Sequence, residues 1–161
     1  MAAVLGLAEA QFTLADKLVY KYNNYSEGVL WCMRSAENNC ADAQKMMGDI
    51  FRSGRHGVNR DMERAFNYYK KAAEGGNTKS CLILAKMYRN GEYVEQNYQE
   101  ALRYYTRVVM EPDDKKYGSN HWTANQDLAE LYLLGLGTTE NGAKAAEYCM
   151  NNALQGDSGS A

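Results

Sequence analysis

The sequence predicts an all-α protein, a right-handed α-solenoid of four antiparallel helix–turn–helix repeats. Three observations predict it. A set of small, aromatic, glycine and cap-forming residues recurs along the chain in the same order, which is the mark of stacked repeats. Within each copy the apolar residues fall at i, i+3, i+4 and i+7, the spacing of one helix face, and nowhere show the period of two that a strand needs. A single Pro among 161 residues leaves helix interiors unbroken, while 14 Gly supply turns.

Each copy is read as a helix A followed by a helix B. The first, residues 6–38, is the most degenerate, with Ala10-Gln11, Leu14-Ala15, Leu18, Gly28, Trp31 and Ala36, and it lacks the glycines between its two helices. The second, 39–75, has helix A near residues 41–53 around Met47-Gly48 and Phe51, and helix B around Ala65, Tyr68-Tyr69 and Ala72-Ala73. The third, 76–110, repeats these as Leu84-Ala85, Tyr88, Ala101 and Tyr104-Tyr105. The fourth, 111–156, has Leu128-Ala129, Tyr132, Ala145 and Tyr148. A tail, 157–161, is expected to be disordered.

Local chemistry fixes the ends of these helices. Gly54, Gly91 and Gly135 supply the left-handed conformation that ends helix A without a Cβ penalty. Asn24, Asp61, Asn97 and Asn141 form a column of short oxygen acceptors that can satisfy orphan N–H groups where helix B begins. Asn38-Asn39, Gly75-Gly76 and Gly156 allow the turn after helix B. The small columns Ala15, Gly48, Ala85, Ala129 and Gly28, Ala65, Ala101, Ala145 let paired helices approach closely, and Leu18, Phe51, Tyr88 and Tyr132 fill the wider gap.

Composition narrows the function. The chain is 45% hydrophobic and 24% charged, with a formal net charge of −2, so it has no global attraction to nucleic acid or anionic lipid. No window approaches the roughly 18 apolar residues of a membrane-spanning helix, and membrane insertion is not expected. Tyr68-Tyr69 and Tyr104-Tyr105 could stack bases, but their repeat equivalence makes them packing residues. Cys32, Cys40, Cys81 and Cys149 contain no C-x-x-C pair and neighbour neither His56 nor His121, which argues against structural zinc. Both histidines are expected in solvated loops. Gly54-Arg55-His56-Gly57 lacks the lysine and hydroxyl residues of a phosphate loop. No cofactor, metal or catalytic constellation is predicted, and the chain is expected not to be an enzyme. The first ten residues lack a basic segment and meet Glu9 early. A cytoplasmic location with reduced thiols is therefore expected, a secreted or periplasmic one being the alternative had a signal segment been removed.

The pattern A-x-x-x-L-G-x-x-Y-x-x-G, then G-V-x-x-D-x-x-x-A-x-x-Y-Y-x-x-A-A-x-x-G, resembles the Sel-one-like repeat, a relative of the tetratricopeptide repeat. The resemblance covers about residues 6–156 and implies a scaffold or adaptor that holds other proteins. In cysteine-rich secreted members, cysteines eight apart staple helix B to the next helix A. Here the corresponding pairs are Ala36 with Gln44 and Ala73 with Cys81, and Cys32 with Cys40 is four residues out of phase, which favours buried thiols over a bridge.

In tetratricopeptide relatives the concave surface is lined by helix A residues not used in packing. Carried onto this chain, that implies partner contacts at Lys45, Asp49, Arg52, Lys79, Leu82, Lys86, Arg89, Gln126, Glu130 and Leu133, with Asp42 on the same face and Phe12, Asp16, Val19 and Tyr20 from the first copy. Lys45, Arg52, Lys79, Lys86 and Arg89 outnumber Asp42 and Asp49 there, so a partner protein or peptide with an acidic segment is expected, with Phe12, Val19, Tyr20, Leu133 and Leu134 adding exposed apolar contacts. The insertion Glu111–Trp122 is expected as a surface loop, with Trp122 packed under helix A or serving as a partner anchor. Two functions fit: a non-enzymatic adaptor, or an inhibitor or immunity protein that occludes a cognate toxin or enzyme.

Overall fold

The computed structural model describes residues 2–110 and 119–156, and the expectations for 111–118 and for the tail lie outside them. Among the described residues there are eight helices and no strand: α1 (Ala2–Tyr20), α2 (Tyr25–Glu37), α3 (Ala41–Ser53), α4 (Met62–Glu74), α5 (Thr78–Asn90), α6 (Tyr98–Met110), α7 (Ser119–Leu133) and α8 (Gly142–Gly156). Odd-numbered helices are the A helices and even-numbered ones the B helices. The chain divides into two compact units, Met1–Ser80 and Cys81–Ala161.

The sequence columns become contacts. Asn24, Asp61, Asn97 and Asn141 each accept a hydrogen bond from a backbone N–H in the first turn of helix B. Their own N–H groups donate back to the carbonyls of Leu18, Phe51, Tyr88 and Tyr132 at 2.8–2.9 Å. The cap column and the large column are thus tied together in all four copies, which fixes where helix B turns back on helix A. Gly54, Gly91 and Gly135 sit at φ 66, 68 and 64, in the left-handed region, so the turn lacks the Cβ strain another residue would bring.

In the first unit, α1 and α2 run antiparallel, since the Ser35 hydroxyl donates to the Ala8 carbonyl at 2.6 Å while Gly28 faces Ala15 and Val19 at the other end. Small side chains at the crossing are required by geometry. A Cβ on Gly48 would lie 2.6 Å from the Tyr69 ring, so α3 and α4 meet with glycine against aromatic. Phe51 stacks on Tyr68 with ring centroids 5.7 Å apart. Within the second unit the same stack recurs as Tyr88 on Tyr104 and Tyr132 on Tyr148. Ala15, Ala65, Ala85 and Ala101 are fully buried.

Several expectations need correction. Ser119–Trp122 belong to α7 rather than to a loop. His121, expected in solvent, is buried because its position falls on the inner face of that helix. Trp122 is 49% exposed, not packed under helix A. Its carbonyl accepts from Asn152 Nδ2, and Asn125 Nδ2 donates to Asn152 Oδ1, so a polar bridge ties α7 to α8. Val19 is buried beside Gly28, whose lack of a side chain leaves room for it. His56 lies in its expected turn, but it is half-buried and stacks on Tyr25 at 4.5 Å.

Cys32, Cys40, Cys81 and Cys149 form no disulfide with one another, the first three being buried and the last exposed. Burial, reinforced by Cys40 and Asp16, pushes the Cys32 thiol up to about 12. At pH 8 its thiolate is then rarer than about one in a thousand, and only the thiolate reacts. Native-state labelling with a maleimide, followed by mass spectrometry, is therefore expected to modify Cys149 alone, and labelling in denaturant to modify all four. Rapid native modification of Cys32 would contradict the packing described.

Candidate partner-binding site

In the first unit the A helices wall a pocket of about 140 Å³ lined by Phe12, Asp16 and Tyr20 of α1, Asp42, Lys45, Met46 and Asp49 of α3, and Lys79. These are the residues expected on the helix A face, with Met46 added. Each reaches the pocket for a local reason: Asp42, Lys45 and Asp49 are spaced at i, i+3 and i+7 along α3, on one face. Phe12, Asp16 and Tyr20 follow each other at i, i+4 and i+8 along α1.

Asp16, Asp42 and Asp49 outnumber Lys45 and Lys79 in this pocket, so it lacks the positive excess expected of the helix A face as a whole. Lys45 Nζ lies 2.6 Å from Asp49 Oδ2. The Tyr69 hydroxyl donates to Asp49 Oδ1 at 2.8 Å, which anchors the carboxylate to helix B. Burial, then the Asp49 charge and hydrogen bond, push the Tyr69 hydroxyl far above its ordinary range, against an opposing pull from Arg52. Asp42 accepts from Asn77 Nδ2 at 2.8 Å, and Asn77 also caps α5 through the Ser80 N–H. Lys79 and Arg52 are exposed.

In the second unit the Arg89 guanidinium reaches from α5 to α7, pairing with Asp127 and, at 2.6 Å, with Glu130. Arg89 was expected as an exposed partner contact on the helix A face, yet its side chain is only 24% exposed. Burial pulls its ionisation down, but Asp127, Glu130 and Tyr105 leave it raised overall. The Tyr105 hydroxyl is pushed far up by burial first and by Asp127 second. Asp127 is the residue that sequence reasoning missed. Its signal was its place one turn before Glu130, on a helix whose neighbour presents an arginine.

Lys86 is exposed and Leu82 half-buried. Gln126, Glu130 and Leu133 line a second groove of about 580 Å³ together with Asp127 and Ala129 and with Gly142, Ala145, Ala146 and Cys149 of α8. Leu133 and Leu134 are exposed, as expected, and so is Tyr20, whereas Phe12 is half-buried. Among the described residues no three His, Cys, Asp or Glu side chains are placed to hold a metal ion, and no helix is long and apolar enough to cross a membrane.

Comparison with known proteins agrees with this architecture. The Sel1 repeat model matches residues 41–77, 78–107 and 122–149. Human protein sel-1 homolog 2 is 33% identical over 111 residues, 67% of this chain and 16% of its own length. The cytochrome c oxidase assembly factor 7 homolog of Drosophila melanogaster is 36% identical over 58 residues, 36% of this chain and 21% of its own. The chain thus spans a small part of the curated relatives it matches. Among solved structures, c5321, a protective antigen present in uropathogenic Escherichia coli strains and displaying an SLR fold, superposes with a TM-score of 0.79 at 30% identity, over 96% of this chain and 32% of that one. A Sel1 repeat protein from Oxalobacter formigenes gives 0.74 at 28% identity, over 96% and 61%. Helicobacter pylori cysteine rich protein B gives 0.55 at 19%, over 83% and 89%, a likeness of fold alone. Sel1 repeats are in general protein–protein interaction modules, and proteins built from them are typically non-enzymatic scaffolds. With three matched repeats, eight helices paired as A and B, and solved neighbours of the same fold, the chain belongs to the Sel1 repeat family and is an all-α helical-repeat solenoid.

Proposed function

We propose that the chain is a non-enzymatic adaptor that holds a partner protein or peptide on the faces of its A helices. The observation that carries this reading is the pocket of the first unit, whose walls come from successive A helices and combine an aromatic, Phe12, with acidic and basic side chains. Concave, mixed surfaces of this kind suit an extended segment better than a small reacting molecule.

An acidic segment in the partner is supported by Lys79 and Lys86, seven residues apart on α5. Both are exposed and neither is in an ion pair among the described residues. Lys45 and Arg89 support it less than the sequence suggests, because Asp49, Asp127 and Glu130 already hold them.

A peptide-display selection against the purified chain tests both levels. Selected peptides are expected to be acidic and to bind more weakly as salt rises, since exposed charges are screened beyond about 8 Å at physiological ionic strength. The double reversal Lys79→Glu/Lys86→Glu is expected to weaken them by roughly tenfold or more with little change in melting temperature. Peptides without acidic bias, or equal binding by the reversal, would remove the acidic-segment reading. Binding that survives substitution of Phe12 and Tyr20 as well would move the site off the A helices.

A further inference from the structure

In the first unit the face of α2 is closed by the A helix that follows it: the Cys32 thiol donates to the Ala43 carbonyl at 3.4 Å, and Gln44 Nε2 donates to the Ala36 carbonyl at 3.1 Å. In the second unit α7 closes α6 in the same manner. Tyr105, in the column of Cys32, is fully buried, with Asp127 of α7 beside its hydroxyl. On α8 that column holds Cys149, and Ala153 stands in the place of Ala36. Both are exposed. The groove of about 580 Å³ between α7 and α8 runs past Cys149, Ala146 and Leu133, in the place where α3 lies against α2 in the first unit and α7 against α6 in the second.

The complementary half is on α1. In repeat register, Ala10 and Gln11 stand where α3 has Ala43 and Gln44, and Leu14 stands where α3 has Met47. Ala43 and Met47 are fully buried, whereas Ala10 is exposed, Leu14 is 41% exposed, and Leu7 on the same face is 55% exposed. Cysteine and alanine thus recur on α8, and alanine and glutamine on α1, in the order they have on α2 and α3.

We propose that the chain self-associates head to tail, α1 of one copy seating in the α7–α8 groove of the next and continuing the repeat-to-repeat interface from copy to copy. In this register Cys149 meets the Ala10 carbonyl as Cys32 meets that of Ala43, and the Gln11 carboxamide reaches the Ala153 carbonyl as Gln44 reaches that of Ala36. Thr13 and Lys17 stand where α3 has Met46 and Ile50, so the joint buries less apolar surface than an internal one and depends on concentration. The two surfaces differ, so the contact is heterologous, of the kind that builds rings or open filaments rather than isologous pairs.

Sedimentation velocity from low micromolar to near-millimolar concentration tests the proposal. The average mass is expected to rise beyond that of a dimer, and Ala146→Glu to abolish the rise without lowering the melting temperature, because Ala146 is exposed in the single copy. Ala10→Cys treated with a short bismaleimide is expected to give a ladder of linked chains, lost in Ala10→Cys/Cys149→Ser. A monomer at every concentration, or an assembly that survives Ala146→Glu and gives no ladder, overturns the proposal and leaves the groove to a further repeat or to another protein's helix.

Discussion

Truncation of Tyr69 to alanine is expected to lower the unfolding free energy by about 3–5 kcal/mol, the range for removing a buried aromatic side chain. Tyr69 is fully buried. Its ring covers Gly48 so closely that a Cβ there would lie 2.6 Å from it, and its hydroxyl bonds to Asp49 across the α3–α4 contact. Tyr69→Phe keeps the ring and removes only the hydroxyl, and is expected to lose about 1 kcal/mol. The converse change, Gly48→Leu, pushes a side chain into the ring and is expected to destabilise by about 1–3 kcal/mol through overpacking.

If ring and glycine form one contact, the two changes are not additive: the leucine in Gly48→Leu/Tyr69→Ala occupies part of the space the ring vacates. The double variant is expected to be more stable than the sum of the singles predicts, by a coupling within the range of about 0.5–3 kcal/mol seen for touching residues. Urea denaturation of the four proteins measures this. Additive losses, or a Tyr69→Ala variant as stable as Tyr69→Phe, would mean that α3 and α4 do not meet at this point.

That contact shows how much of the fold was legible in the sequence. Glycine at 48 and Tyr69 each belong to a repeated column, and repetition converts a weak single-residue signal into register. The same holds for Asn24, Asp61, Asn97 and Asn141, whose short side chains have one effective use at a helix start. Where repetition stops, the reading weakens. Ser119–Trp122 looked like loop because Pro112 and a polar run precede them, yet they belong to α7, which buries His121. No column marks that boundary.

The candidate site was legible as a face but not as a charge distribution. Helical spacing places Asp42, Lys45 and Asp49 together and sets Lys45 and Asp49 at i, i+4, but it cannot show that Arg89 crosses to another helix. Ion pairing between elements depends on packing distances that a single helix period does not contain. A surface counted as positive from residue types is therefore partly neutralised when folded, and Lys79 and Lys86 carry what remains on α5.

Replacement of Arg89 by alanine is expected to destabilise the protein by about 2–3 kcal/mol, although it removes no residue of the apolar core. Asp127 is only 14% exposed and loses its cation, and a carboxylate held from water without a partner is costly. The figure lies below the about 3–5 kcal/mol typical of a fully buried pair because Arg89 and Glu130 retain contact with solvent. Arg89→Lys is expected to recover only part of the loss. A single ammonium cannot engage two carboxylates with the fixed fork of a guanidinium, and its point charge is more strongly hydrated. The double variant Arg89→Met/Asp127→Leu removes both charges while keeping the volume and is expected to approach wild-type stability, since replacing both partners avoids an unpaired buried group. Chemical denaturation distinguishes the cases. Were Arg89→Ala as stable as wild type, the bridge from α5 to α7 would be a surface contact of the exposed kind, worth under about 1 kcal/mol, and Arg89 would rejoin Lys79 and Lys86 as a cation available to a partner.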